Sequence, residues 1–281
     1  MNKPMPYPFV KYLGGKSKMA RHILERLPLK FNTYFEPFLG GGAVFFELAK
    51  QKRFNKAVLS DMNPELINAF AVIKKDVDGL ICELRSGLYK YNKKRYLEIR
   101  SDNSTDKSRI EQAARFIYLN KSCFNGLYRT NMKGEFNVPF GKYNNPVICD
   151  EENLRAVSVT LKHARIAKTG FENVLREAKL GDVVYFDPPY LPTSKTSNFT
   201  GYTKERFGIT DHTLLSVVFD QLSERGVSVI LSNSISAREL YQDYEVVSLI
   251  GGVCVGGPTE YRNSTVEEIM VMTNCRALEK H

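Results

Sequence analysis

The chain of 281 residues has no tryptophan, only four histidines and only five cysteines. The cysteines (Cys82, Cys123, Cys149, Cys254 and Cys275) are scattered and form no C-x-x-C pair. That argues against a zinc ribbon and a redox dithiol and leaves reduced thiols in a cytoplasmic protein. His22, His163, His212 and His281 form no cluster, so a metal site or a Ser-His-Asp triad has little to stand on. No stretch approaches the roughly 20 apolar residues of a bilayer span. Met1 to Val10 carry one lysine and three prolines but no apolar segment of a signal peptide. Membrane insertion and secretion are disfavoured. Internal repeats and low-complexity linkers are also missing.

Acidic charge is in short supply: 40 Lys and Arg face 31 Asp and Glu, a net +9. The excess is localised. Residues 1–30 hold seven bases and one acid, a net +6, and residues 85–145 hold thirteen and five, a net +8. The other two stretches are slightly acidic: 31–84 is 6 against 7, and 146–281 is 14 against 18. A solvated basic face would explain either basic segment alone. Two together are better explained by a surface that tracks phosphates, with salt-dependent binding.

Apolar runs bounded by turn residues predict strands over Thr33 to Phe38, Ala57 to Ser60, Ala164 to Thr169, Asp182 to Phe186 and Val227 to Leu231. Tyr244 to Ile250 and Val266 to Met272 read as a closing pair, with the glycine-rich stretch Gly251 to Ser264 between them. Helices are expected over Ala43 to Lys50, Pro64 to Ile73, Asp211 to Arg225 and Ala237 to Tyr241, with Gly226 stopping the third. This alternation predicts an α/β sheet with helices on both faces. Residues 75–145 break it. They are rich in Arg, Lys, Tyr and Asn, helical to about Leu119, then turn through a β-hairpin with Gly134 at its tip. They read as a basic module inserted into the α/β domain.

Gly15-Lys16-Ser17 is not a P-loop, because the required glycine five residues upstream is Val10. Gly40-Gly41-Gly42 is not a complete dinucleotide fingerprint, because Phe45 stands where glycine or alanine is needed. A glycine turn between strand and helix still lets backbone approach an adenosine-type ligand, and Asp61 ends the next strand, where a carboxylate can accept from ribose hydroxyls. A tight turn plus a helix-capping acid is the plainer alternative. Asp187-Pro188-Pro189-Tyr190 follows a buried strand, at the carboxyl end of the sheet. Its two prolines fix φ and remove two N–H donors. The Pro188 carbonyl and Asp187 carboxylate are then acceptors beside an aromatic ring, an arrangement suited to an exocyclic amine on a base stacked against Tyr190.

With these segments in this order, the chain resembles the α-class, Dam-like DNA adenine-N6 methyltransferases from about Pro8 to Thr273. The resemblance rests on Lys11-Tyr12-Leu13-Gly14-Gly15-Lys16, on Phe35-Glu36-Pro37-Phe38-Leu39-Gly40-Gly41-Gly42 and on the D-P-P-Y. The phrases Asn125-Gly126-Leu127-Tyr128-Arg129 and Phe136-Asn137-Val138-Pro139-Phe140-Gly141 are similar to the family's DNA-reading hairpin. The resemblance implies a Rossmann-like, S-adenosylmethionine-dependent methyltransferase sheet. Residues 1–74 and 146–281 would form the catalytic domain and 75–145 the inserted target-recognition domain. It implies a donor pocket of Tyr12, Lys16, Phe38, Gly40, Asp61 and Asp187; many members carry Trp at the position of Tyr12. Catalysis would rest on Asp187, Pro188 and Tyr190, acting on an adenine flipped out of double-stranded DNA, with no metal. The family's GATC readers match Lys11, Leu127, Arg129, Pro139 and Tyr143 in residue type, and Phe124 and Asn125 fall where members wedge into the duplex. A GATC target follows as an expectation. A cytosine-N4 enzyme, an RNA adenine enzyme and a DNA-binding relative without catalysis are the alternatives. A cognate restriction endonuclease is a candidate partner.

Overall fold

The structure is a computed structural model and describes residues 4–12, 16, 19–102, 106–191, 207–253 and 265–273. Leu13 to Gly15, Ser17 and most of the glycine-rich stretch before β7 lie outside the described residues. Seven strands form one sheet in the order β3-β2-β1-β4-β5-β7-β6. They are β1 (Thr33–Glu36), β2 (Lys56–Ser60), β3 (Ala164–Ala167), β4 (Val183–Phe186), β5 (Ser228–Ser234), β6 (Glu245–Val253) and β7 (Thr265–Met272). The first five run parallel, and β7 runs antiparallel between β5 and β6. This is the Rossmann-like α/β sheet expected, with its closing strand pair in place.

Strand residues alternate between two cores, as the pleat requires. Tyr34, Leu59, Val183, Tyr185 and Ile230 join a large cluster on one face. Phe35, Val184, Phe186, Val229 and Leu231 join a second on the other. The first is covered by α1 (Ala20–Arg26), α2 (Ala43–Lys50) and α3 (Pro64–Lys75), the second by α8 (Ile209–Glu224). Local chemistry marks the ends. Asn63 accepts from the amides of Glu65 and Leu66, with Pro64 opening α3. Gly226, at φ 70°, follows α8.

Helices α1 and α7 (Glu151–Leu161) were not anticipated, and β5 runs three residues past its expected end. Ser232, Asn233 and Ser234 are buried and paired to Met270, Ile269 and Glu268 of β7. Their polar side chains end the apolar pattern while the backbone ladder continues.

Residues 75–145 contain α4 (Val77–Arg85), α5 (Lys93–Ser101) and α6 (Arg109–Ser122), followed by a 3₁₀ turn over Phe124–Gly126. The hairpin is reduced to two isolated antiparallel bridges, Thr130 to Phe136 and Cys123 to Phe140, with Gly134 at φ 81° near its tip. Every residue from Ala113 to Asn120 of α6 is buried. Its Phe116, Ile117 and Leu119 share the first cluster with Leu66 and Phe70 of α3. The helices of this stretch therefore rest on the same core as the sheet.

Candidate active site

β1, β2 and β4 are neighbours, and the strand order reverses between β1 and β4. Connections leave such a switch point in opposite directions and open a crevice at the carboxyl ends. Each of these strands delivers its next residues there: Pro37 to Gly42 after β1, Asp61 after β2, and Asp187 to Tyr190 after β4. Together they line a cleft of about 1090 Å³, which also takes in Tyr12, Lys16, Glu36, Phe171, Glu172, Tyr185, Phe207 and Asp211. All of the residues expected to hold a donor or to act on the base lie on this one cavity.

Asp61 organises one end. Its Oδ2 accepts from the Gly40 amide at 3.0 Å and its Oδ1 from the Asn63 amide at 2.9 Å. Burial raises its pKa, and these N–H groups oppose the rise. Gly40 has φ 47°, and a Cβ there would lie 3.0 Å from the Tyr12 ring, so glycine lets the aromatic face close on the turn. Phe38 stacks on Phe171 at 5.5 Å and meets Phe207 edge-on at 5.5 Å, an apolar wall.

Asp187 organises the other end. Lys16 Nζ lies 2.9 Å from Asp187 Oδ1, 3.9 Å from Glu268 and 4.6 Å above the Tyr190 ring. The Tyr190 hydroxyl donates to Glu268 at 2.8 Å. Burial pushes the Asp187 carboxyl up, and Lys16 pulls it back. The turn itself is tied to β5: the Leu191 amide donates to Asn233 Oδ1 at 3.2 Å and Ser234 Oγ to the Leu191 carbonyl at 2.6 Å.

Two acids at this end had no assigned role in the sequence. Glu36 ends β1, is 2% exposed and accepts from the Tyr34 hydroxyl at 3.0 Å. Burial raises its carboxyl well above the usual range. Its position two residues before Phe38 was the available signal. Glu268 comes from β7, and nothing in its local sequence points to Tyr190.

The expected DNA-reading residues gather beside the cleft, and of them Lys11 alone lines it. Asn120 joins the two segments: it accepts from the Lys11 amide at 2.8 Å and donates to the carbonyls of Lys11 at 2.7 Å and Gly126 at 3.1 Å. Lys11 Nζ sits 4.0 Å over the Tyr143 ring, and the Tyr143 hydroxyl donates to the Cys123 carbonyl at 2.9 Å. Phe124, Asn125, Arg129 and Pro139 are exposed and Leu127 is half-buried. Asn125 and Gly126 are both left-handed, at φ 55° and 64°. Arg129 Nε donates to Asn137 Oδ1 at 2.7 Å. The two basic segments of the sequence thus meet at one place.

Comparison with known proteins decides the family. The family model for the D12 class N6 adenine-specific DNA methyltransferases matches residues 12–251. The chain belongs to that family. It is 43% identical to the type II methyltransferase M1.LlaDCHI of Lactococcus lactis subsp. cremoris, covering 97% of each chain. It is 39% identical to the type II methyltransferase M.MjaIII of Methanocaldococcus jannaschii, over 94% of this chain and 98% of that one. It is 34% identical to the DNA adenine methylase of Haemophilus influenzae, over 83% and 82%.

The methyltransferase is therefore an adenine-specific DNA enzyme, and the cytosine and RNA alternatives fall away. Among the described residues, no group of three or more His, Cys, Asp and Glu is disposed to hold a metal ion. No helix among them is long and apolar enough to cross a membrane.

Proposed function

We propose that this methyltransferase moves a methyl group from S-adenosylmethionine to N6 of an adenine flipped out of double-stranded GATC. The observation that carries the reading is the continuity of the cleft, which joins Asp61, Gly40, Tyr12 and Phe38 to Asp187, Pro188 and Tyr190. The residues fit the donor. The glycine turn and the Phe38 wall suit an adenine ring, Asp61 suits ribose hydroxyls, and Tyr12 and Lys16 close the pocket. When bound, the donor supplies a methyl on a sulfonium carrying positive charge. The acids at the Asp187 end suit that charge.

The protein's part is positioning and electrostatics. N6 is out of reach in a stacked duplex, so the base must enter the cleft. Tyr190 stacks on it. Asp187 and the Pro188 carbonyl accept hydrogen bonds from the two N6 hydrogens, and this raises electron density on the nitrogen as it attacks. As the N–C bond forms, the methyl's bond to sulfur breaks with its electrons returning to sulfur, and the methylated nitrogen then releases one proton to solvent. The hydrogen bonds strengthen as positive charge develops on N6, so they favour the transition state over the ground state.

Residues 75–145 serve as the recognition unit and 1–74 with 146–281 as the catalytic unit. Arg129 is suited to guanine O6 and N7. Lys11, Leu127, Pro139 and Tyr143 complete the reading surface, with Phe124 and Asn125 entering the duplex. The type II names of two relatives support a restriction endonuclease as functional partner, and a cytoplasmic location is part of the same proposal. The deciding experiment is transfer of labelled methyl from S-adenosylmethionine to a GATC duplex and to duplexes altered at single positions. Labelled N6-methyladenine confined to GATC is the expected product. Label in another sequence would overturn the GATC assignment, and no label on any duplex would overturn the reading as a whole.

A further inference from the structure

Three side chains outside the proposed chemistry meet between α3 and the reading segment. Arg115 of α6 donates from Nη1 to Glu65 Oε1 at 3.1 Å, and from Nε and Nη2 to the carbonyls of Ile99 and Arg100, both at 3.2 Å. The Tyr128 hydroxyl donates to Glu65 Oε2 at 2.8 Å. The Tyr128 ring packs between Phe116 and Phe136, with centroids 5.8 Å from each. Glu65 stands in the first turn of α3, whose cap Asn63 is bonded to Asp61. The cluster therefore spans from the loop beside the donor pocket to the extended segment that carries Arg129.

Arg115 is buried but Glu65 is 32% exposed, so solvent screening and desolvation leave the ion pair little net stability; its several directed bonds still fix a geometry. Here the geometry concerns one short piece of chain. Leu127 leads into it with extended backbone, at φ −65° and ψ 145°, and the next two side chains face different ways. Tyr128 turns inward to Glu65 while Arg129 is exposed. A guanidinium reads a guanine edge through two bonds of fixed direction, so small displacements of its backbone degrade the reading.

We propose that Glu65 and Tyr128 form a latch that positions Leu127 and Arg129. They thereby set sequence specificity without touching a base. The proposal rests on the reading above that Arg129 contacts the DNA. Tyr128→Phe keeps the ring and removes the hydroxyl; Glu65→Gln replaces the charged acceptor and also weakens the Arg115 contact; the bond common to the two is Tyr128–Glu65. The measurement is the ratio of methylation kcat/KM on GATC to that on singly altered duplexes.

Tyr128→Phe is expected to lower this ratio about tenfold at the position read by Arg129. The change should fall on KM for DNA, with kcat at saturating GATC and donor affinity within about twofold of wild type. The Tyr128→Phe/Glu65→Gln double variant should be no worse than the worse single one, as for two halves of one interaction. In an Arg129→Ala background, Tyr128→Phe should have no further effect on the ratio. An unchanged ratio in Tyr128→Phe, with Arg129→Ala relaxing it, would overturn the latch alone. An unchanged ratio in Arg129→Ala would overturn the underlying reading and the latch with it. A fall in kcat and donor affinity equal to the fall in the ratio would show a structural role only and would also overturn it.

Discussion

Replacing Asp187 by asparagine isolates its charge, because the amide keeps the shape and one acceptor oxygen. In the proposed reaction the carboxylate faces an N6 amine that becomes cationic as it attacks. A preorganised group aimed at developing charge contributes about 2.7–4 kcal/mol, which corresponds to a rate loss on the order of 10²- to 10³-fold. The structure adds a second cost. Lys16 is 5% exposed and loses its 2.9 Å ion partner, while Glu268 remains at 3.9 Å. Removing one side of a hydrogen bond to a charged group costs about 1.5–3 kcal/mol, so the melting temperature should also fall by several degrees. Single-turnover methyl transfer to a GATC duplex at saturating donor measures the first effect and thermal unfolding the second. Donor affinity should stay within a few-fold, since donor binding is shared with Tyr12, Phe38, Gly40 and Asp61. An Asp187→Asn enzyme that methylates within about threefold of the wild-type rate would refute the proposed role of the carboxylate.

Three further outcomes are expected. Glu268→Gln weakens the hold on the Tyr190 hydroxyl and should lower kcat roughly tenfold with DNA affinity retained; an unchanged kcat would show that Tyr190 needs no such support. Gly126→Ala forces a left-handed alanine whose Cβ would lie 2.3 Å from Lys11 Cβ. The conformation costs about 1–2 kcal/mol and the crowding about 1–3. Urea unfolding should show the loss, and DNA binding should suffer more than donor binding. Finally, burial raises the Asp187 pKa despite Lys16, with Glu268 adding to the rise. The acceptor is the ionised form, so activity should fall as pH drops through this raised value. The acid limb of kcat should flatten in Asp187→Asn; a limb that persists unchanged belongs to another group.

Much of the architecture was legible because short-range chemistry wrote it. Ala43 to Lys50 is a helix to the residue, and Gly226 ends α8, because apolar spacing and glycine's access to positive φ act locally. Helix α7 escaped notice because its buried face carries Asn153 and Ser158 beside Leu154, Val157 and Leu161. The extension of β5 escaped because Ser232, Asn233 and Ser234 are buried by pairing with β7, a strand that lies beyond β6 in the chain. Glu65 and Tyr128, 63 residues apart, gave no sign of each other.

The sequence by itself determined the chemistry: the acceptors of Asp187-Pro188-Pro189-Tyr190, the glycine turn, the acid after β2 and the location of the basic charge. Such features are properties of residue types and near neighbours. Only the tertiary structure decided which groups share a site. The reversal of strand order between β1 and β4 opens one cleft to three strand ends. Packing of α6 against α3 brings Lys11 to Gly126, Glu65 to Tyr128 and the two basic segments to one another. Those contacts depend on how whole elements bury their apolar faces, and no local pattern records that outcome.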